Sequence, residues 1–307
     1  MTTSVKEYWT SPARPLYEAA YAHTQLGTGL VRAASGTSRT TLAESALLTA
    51  RLAFFDLNQP AIAQRCYDVA LAVTREAGDH ALAAAVLGHM AFIPAFRNDP
   101  SAARPLVDAA QHSWQGVSPA VRCWLHCVAS EGEARTGAGA VSRHQINLVV
   151  TAIEANPTPP EWLDFYDAGG LHSFAGYAAL AADDHTEATG QLIEALARLI
   201  VNVAKQRSVI LADVVAAHSG DGDHAAHCLN QAMDALHNDW YGTGLERVSA
   251  LRPVLADSRQ VRQLDERITA PPPAERAYPA AKPPTRCACA PAPAAPPASR
   301  AGTGIAR

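Results

Sequence analysis

The chain has 307 residues, of which 48% are hydrophobic and 18% are charged, and its formal net charge is −4. This length and apolar content are enough for one large domain or two smaller ones. The negative charge argues against nucleic-acid binding by the chain as a whole. No apolar run approaches the roughly 20 residues that a membrane-spanning helix needs, so we expect no membrane partner.

The start of the chain and its cysteines suggest where the protein works. Residues 1–6 are not followed by an apolar core, so they do not have the pattern of a secretory signal. The six cysteines are scattered and lack the spacing of a disulfide scaffold. These two observations predict a cytoplasmic protein.

Residues 1–40 form an N-terminal extension in this interpretation. A helix is predicted over residues 16–34, although Gly27 and Gly29 weaken it. Thr41 and Glu44 then have the spacing of a capping box. That spacing predicts that the first helix of the main domain begins at Thr41 and runs to about Leu57.

The chain then repeats a helical pair about every 40 residues, most clearly over 47–70, 87–110 and 172–196. In each copy an Ala-rich helix is followed by a short polar turn and a second helix. A lone hairpin of this size cannot cover its own apolar face, whereas stacked hairpins can. The period therefore predicts a solenoid.

Caps and helix breakers give the remaining boundaries. The predicted helices are 60–77, 81–96, 101–114, 120–136, 141–155, 161–182, 185–204, 206–219, 223–238, 243–256 and 258–269. No segment alternates with period two for long enough to be a strand. We predict an all-α fold, a helical-hairpin solenoid of about six pairs over residues 41–269.

Charge and composition change at residue 270. Residues 270–307 carry a net charge of +4, which leaves −8 on residues 1–269. Ten of the 21 prolines lie in these last 38 residues, mostly among alanines. Such a segment cannot bury enough apolar area to offset its ordering entropy. We predict a disordered Pro/Ala-rich tail over residues 270–307.

The second helices share a pattern of small, large and small residues. The positions are Ala63, Tyr67 and Ala70; Ala103, Val107 and Ala110; and Ala188, Leu192 and Ala195. Gly176 takes the place of a packing glycine in a first helix, where the first copy has Arg51. The pattern resembles the tetratricopeptide repeat, in copies longer than its usual length of about 34 residues. The resemblance implies a tetratricopeptide-like solenoid.

A more specific resemblance is to the sensor region of actinobacterial XRE-type transcriptional regulators. It is carried by residues 72–87, 159–167, 206–218 and 263–268. In that family an N-terminal helix-turn-helix domain binds DNA and the repeats receive a signal. Residues 1–40 are too short and too poor in Arg and Lys for such a domain. We therefore expect no direct DNA binding from the repeat domain, and the resemblance implies no catalytic residues.

The candidate binding site is the concave face, because the first helices of stacked repeats line it. The repeat register places five residues there: Leu52, Phe55, Phe92, Phe96 and Tyr177. Trp124, Arg97 and Tyr166 are expected as neighbours. Aromatic rings with one nearby cation suit an extended peptide or a small amphipathic ligand. The alternative is that these rings are ordinary core between repeats.

Two clusters contain residue types that bind metals. Cys123 and Cys127 share one helix face, and His218, His224 and His227 surround one turn. A closed site needs further ligands, and no second Cys/His pair has suitable spacing. We interpret the clusters as buried cysteines and a solvated turn, and we predict neither a metal nor a cofactor.

The sequence offers little that suggests an enzyme. Glu131 with Glu133, or Asp164 with Asp167, could form an acid/base pair, but Asp164 and Asp167 lie in the first turn of a predicted helix, where the helix dipole alone favours acidic residues. The chain has no Gly-rich phosphate loop and no nucleophile motif. We predict a protein without enzymatic activity.

The predicted function is a regulatory module that binds a peptide, a small ligand or a partner protein in its concave groove. A homodimer is compatible with the apolar faces at the ends of a solenoid. One alternative is a DNA-binding transcriptional regulator, complete or truncated. A second is a structural scaffold for protein–protein interaction.

Overall fold

The computed structural model describes residues 8–9, 11–30, 36–112, 117–153, 160–163, 166–199, 203–218, 222–253, 255 and 258–269. The described chain is helical, without a strand. Its α-helices are α1 (Ala13–Leu30), α2 (Gly36–Arg51), α3 (Pro60–Ala77), α4 (His80–Ala95), α5 (Pro100–His112), α6 (Pro119–Arg135), α7 (Gly139–Ile153), α8 (Ala168–Ala181), α9 (His185–Arg198), α10 (Ala204–Ala217), α11 (Gly222–Asn238), α12 (Gly242–Ser249) and α13 (Ser258–Thr269). None of these helices is both long enough and apolar enough to cross a bilayer. The tail predicted over 270–307 lies outside the described residues.

Consecutive helices pair as hairpins, which confirms the predicted all-α hairpin solenoid. The pairs are α2 with α3, α4 with α5, α6 with α7, α8 with α9, and α10 with α11, and α12 and α13 follow them. We call α2, α4, α6, α8, α10 and α12 the inner helices, and their partners the outer helices.

The three turns that marked the repeat share one backbone conformation. Asn58, Asn98 and Asp183 have φ values of 51°, 56° and 57°. This left-handed conformation is tolerated best by Gly, Asn and Asp. Asp99 and Asp184 then cap the following helices, accepting hydrogen bonds from backbone N–H groups at 3.1 Å. The left-handed backbone conformation of these turns therefore explains why polar residues occur at these positions.

The small–large–small positions of the outer helices face the inner helices. All nine predicted positions are buried. The same register continues in two further helices, at Ser142, Ile146 and Val149 and at Ala225, Leu229 and Ala232. At Gly176 a Cβ would lie 2.6 Å from Cγ of Leu192, so this glycine permits the close approach of α8 and α9.

Two predicted helix starts are wrong. Helix α2 begins at Gly36, so Thr41 lies inside the helix and the capping box at Thr41 and Glu44 does not form. Helix α2 packs against α1 through Leu42, which fills the space beside Gly27, and tertiary contacts of this kind override a local capping signal.

The helix predicted over 161–182 is divided. Glu161–Leu163 is a separate 3₁₀ turn, and α8 begins at Ala168. Asp167 caps it by accepting a hydrogen bond of 2.8 Å from the backbone N–H of Gly170. A cap satisfies a donor that would otherwise be unpaired, and this interaction outweighs the continuous helical pattern of the sequence.

The concave face is not an open groove. Each inner helix from α4 to α12 contacts the next, and α12 returns to a π-helical turn, Leu52–Asp56, at the end of α2. The Thr243 hydroxyl donates to the carbonyl of Phe55 at 3.2 Å, and a Cβ at Gly242 would meet the carbonyl oxygen of Asp56 at 2.9 Å. The inner helices therefore form a closed ring.

Candidate functional site

The ring encloses a cavity of about 160 Å³. Side chains from the π-helical turn and from all the inner helices line it, together with Tyr8 and Trp9. One wall is aromatic, formed by Phe55, Phe92, Phe96, Trp124, Phe174 and Tyr177. We call the enclosed space the ring cavity and these six side chains its aromatic wall.

The π-helical turn positions the first of these rings. The backbone N–H of Leu57 donates to the carbonyl of Leu52 at 3.0 Å, which adds one residue to the turn. Phe55 then lies with its ring centroid 5.3 Å from that of Phe92, in an edge-to-face arrangement. A regular helix would direct this side chain elsewhere.

Charged side chains of α6 and α12 pack against this aromatic wall. Glu131 accepts hydrogen bonds from Nε of Arg135 at 3.1 Å and from Nη2 of Arg247 at 3.0 Å. Arg135 also donates to Glu246 at 3.0 Å. The guanidinium of Arg247 lies 3.7 Å from the ring centroid of Tyr177. These charges join α6 to α12 across the ring.

Asp213 of α10 and Nε of Arg247 face each other in this wall without a hydrogen bond between them. Asp213 is 3% exposed. Its nearest charged partner is Nε of Arg247 at 3.6 Å, which is beyond hydrogen-bond distance. Burial raises the pKa of Asp213 to about 6 against the attraction of Arg247. Among the described residues, its carboxylate accepts no hydrogen bond.

A second buried charge cluster closes the ring near its N-terminal end. Nζ of Lys205 lies 2.7 Å from Oδ1 of Asp56 and donates to the carbonyl of Tyr8 at 2.9 Å. The Tyr8 hydroxyl donates to the other oxygen of Asp56 at 2.9 Å. Arg51 lies over the Tyr8 ring, 4.5 Å from its centroid. The cluster ties the N-terminal segment to α2 and α10.

His89 contributes a neutral ring to the cavity wall. Nδ1 lies 2.8 Å from the carbonyl of Ala85 and therefore carries the proton, and the imidazole lies 4.6 Å from the ring of Trp124, measured between centroids. Burial, with a smaller effect from Arg51, lowers the pKa of His89 to about 3. The ring therefore stays uncharged near neutral pH.

Four of the five predicted groove residues line the ring cavity, namely Phe55, Phe92, Phe96 and Tyr177. Leu52 does not. It is fully buried in a small cluster with Tyr8 and Leu16, because the π-helical turn changes which side chains face inward. Among the expected neighbours, Trp124 lines the cavity, whereas Arg97 is exposed.

Tyr166 and the two helix cysteines lie together outside the ring cavity. Cys123 and Cys127 are buried, and Sγ of Cys127 lies 3.7 Å from the hydroxyl of Tyr166. Burial raises the pKa of both thiols. A buried thiol with a raised pKa is a poor metal ligand and a poor nucleophile.

The other candidate clusters are explained by their local partners. The rings of His218 and His224 lie 4.5 Å apart between centroids and are inclined by 55°, and His227 lies 2.9 Å from the amide of Gln231. Glu133 pairs with Arg104 at 2.7 Å. Asp164 lies outside the described residues. Within those that are described, no group of three His, Cys, Asp or Glu residues could hold a metal ion.

The sequence prediction missed the charged part of the wall. Asp213 stands in the apolar run Val209–Val215, and Arg51 replaces the small residue of the repeat. A charged residue within an otherwise apolar helical segment indicates a candidate functional site. Arg247 had no such signal, because α12 is short and its charges read as an exposed face.

The chain was compared with protein-family models, with curated proteins and with solved structures, and none of them matched.

Proposed function

We propose that the protein is a non-enzymatic regulatory module that binds a small ligand in the ring cavity. The observation that supports this is the cavity itself, which combines an aromatic wall with buried charged groups. Ligand sites are typically concave and mostly apolar, with a few fixed polar groups. A close-packed core contains few empty volumes of this size.

The size of the cavity supports one kind of ligand over another. A cavity of about 150 Å³ accommodates a benzene ring in a protein core, and this cavity is of similar volume. Because α12 contacts the π-helical turn and closes the ring, an extended peptide fits less well than a compact molecule. We therefore favour a small ligand of about one ring among the predicted partners.

The ring also supplies a means of regulation. A ligand in the cavity contacts the first and the last inner helices, so its binding energy favours the closed ring over any opened arrangement. The resemblance to XRE sensor regions supports a role in transcriptional regulation in the cytoplasm. In this proposal the module senses a ligand and does not itself contact DNA.

The test is to fill the cavity. Ser173 of α8 lines it and is half-buried, whereas Ser101 of α5 is exposed on the outside. We propose to measure binding of benzyl alcohol, benzylamine and benzoate by ligand-observed NMR to the wild type, Ser173→Phe and Ser101→Phe. At least one compound should bind saturably to the wild type and to Ser101→Phe, and lose binding to Ser173→Phe.

Two results would overturn the proposal. One is that none of the three compounds binds to the wild type. The other is that binding is unchanged in Ser173→Phe, which would place the site elsewhere. Thermal melting of both variants checks that any loss of binding is not a loss of fold.

A further inference from the structure

We infer that the ligand of the ring cavity is an organic amine, bound in its protonated form through the carboxylate of Asp213 with its apolar body against the aromatic wall. This inference rests on the proposed function and specifies its ligand class. It follows from an unused acceptor, from the partners that the neighbouring cations already have, and from the chemistry of the wall.

The unused acceptor is Asp213. Its side chain is more than nine-tenths buried and lines the cavity, yet it accepts no hydrogen bond from the described residues. Buried carboxylates in folded proteins are nearly always hydrogen-bonded. A donor supplied by the ligand would complete it.

The guanidiniums near Asp213 direct their hydrogen bonds to other carboxylates. Arg135 donates to Glu131 and Glu246, and Arg247 donates to Glu131. Toward Asp213, Arg247 contributes an ion pair at 3.6 Å and no hydrogen bond. Among the described residues, Asp213 is thus the carboxylate of this group that lacks a hydrogen-bond donor, and an ammonium group of a ligand would supply one.

The other cations near the cavity have partners of their own. Lys205 is held by Asp56 and by the carbonyl of Tyr8. Arg51 lies over the Tyr8 ring. Both belong to the cluster that closes the ring, and the hydrogen-bond acceptor capacity of Asp213 that no described residue uses is left for a ligand.

The remaining wall favours an amine with an apolar body over an inorganic cation. Phe174 and Tyr177 of α8 lie on the same wall as Asp213, and aromatic faces attract organic cations. A metal ion would need several oxygen ligands, whereas an ammonium needs only a few acceptors. Ser173 and Gln206 also line the cavity and offer further oxygen acceptors.

The experiment compares three ligands of one shape and different charge at about pH 7.5. Isothermal titration with benzylamine, benzyl alcohol and benzoate is performed on the wild type, Asp213→Asn and Asp239→Asn. Asp239 is the matched control, because its pKa is also raised to about 6 by burial but it lies outside the ring cavity.

Benzylamine should bind the wild type about tenfold or more tightly than benzyl alcohol, because a charge-assisted hydrogen bond is stronger than a neutral one. Asp213→Asn should remove this preference while still binding benzyl alcohol. Asp239→Asn should behave as the wild type.

The inference is overturned if benzyl alcohol or benzoate binds the wild type as tightly as benzylamine, or if Asp213→Asn keeps the amine preference. In either case saturable binding of any of the three compounds to the wild type would show that the proposed function survives. Failure of all three compounds to bind would overturn both.

Discussion

Oδ1 of Asp56 and Nζ of Lys205 lie 2.7 Å apart, and both side chains are fully buried. Asp56 ends the π-helical turn after the first inner helix, and Lys205 is the second residue of α10. The Tyr8 hydroxyl donates to the same carboxylate. This pair therefore joins the first inner helix to the fifth, beside the contact of Gly242 with Asp56 that closes the ring.

Removing Lys205 should strongly destabilise the protein. Lys205→Met leaves Asp56 buried without its counter-ion, and breaking one half of a buried pair typically costs about 3–5 kcal/mol. The free energy of unfolding, measured by urea denaturation, should fall by that amount. The double variant with Asp56→Asn should recover part of the loss, since no charge is left unpaired.

Arg143→Met is the matched control for this prediction. Arg143 pairs with Asp184 at 3.1 Å, but both side chains are about two-fifths exposed. An exposed pair contributes roughly 0–1 kcal/mol. Equal losses in Lys205→Met and Arg143→Met would show that burial of the Asp56 pair has no special weight.

Ionisation of Asp213 should reduce stability. Its pKa is about 6 in the fold against an ordinary 3.8, so between about pH 4 and pH 6 the folded protein binds more protons than the unfolded chain. Stability from this group is present at low pH and is lost as the pH rises through that window. The carboxylate then costs roughly 3 kcal/mol above about pH 6.

Asp213→Asn does not titrate and isolates this effect. The unfolding free energy of the variant minus that of the wild type should rise between about pH 4 and pH 6 and level off above. Urea denaturation across this range provides the measurement. Parallel curves for the two proteins would contradict the raised pKa.

Close packing at Gly176 predicts opposite effects for two Gly→Ala substitutions. At Gly176 the new methyl would lie 2.6 Å from Cγ of Leu192, so Gly176→Ala should destabilise by about 1–3 kcal/mol through overpacking. At Gly190 of α9 the same methyl meets nothing within 4 Å. Gly190→Ala should stabilise by about 0.5–1 kcal/mol through helix propensity. The melting temperatures of both variants test this, and a change of the same sign in the two variants would contradict the packing argument.

His89 should remain neutral well below the pH at which an ordinary histidine charges. Its pKa is lowered to about 3 from 6.5. Between these two pH values the unfolded chain binds a proton at His89 that the folded protein does not bind, so the free energy of unfolding falls as the pH falls through this range. Nitrogen-15 NMR at about pH 5 should show a neutral ring with the proton on Nδ1, which donates to Ala85. The His89→Asn variant assigns the signal, and a charged ring at that pH would refute the prediction.

The hairpins could be predicted because they depend on local rules. Asn58, Asn98 and Asp183 adopt the left-handed conformation that short polar residues tolerate. The small–large–small positions repeat at helical spacing and are buried. Four cavity-lining aromatics followed from the same register. The position predicted for Leu52 on the concave face was wrong, because a π-helical turn shifts the register there without an evident sequence signal.

The sequence by itself determined the hairpins, their turns and the faces on which they stack, since each depends on residues a few positions apart. Only the tertiary structure decided that the ring closes and that Asp213 accepts no hydrogen bond from any residue the structure describes. Closure depends on small rotations between successive hairpins, which add up along the chain before Asp56 meets Lys205. No local pattern specifies that sum, so the charged wall of the ring cavity became visible only when both ends of the solenoid were placed.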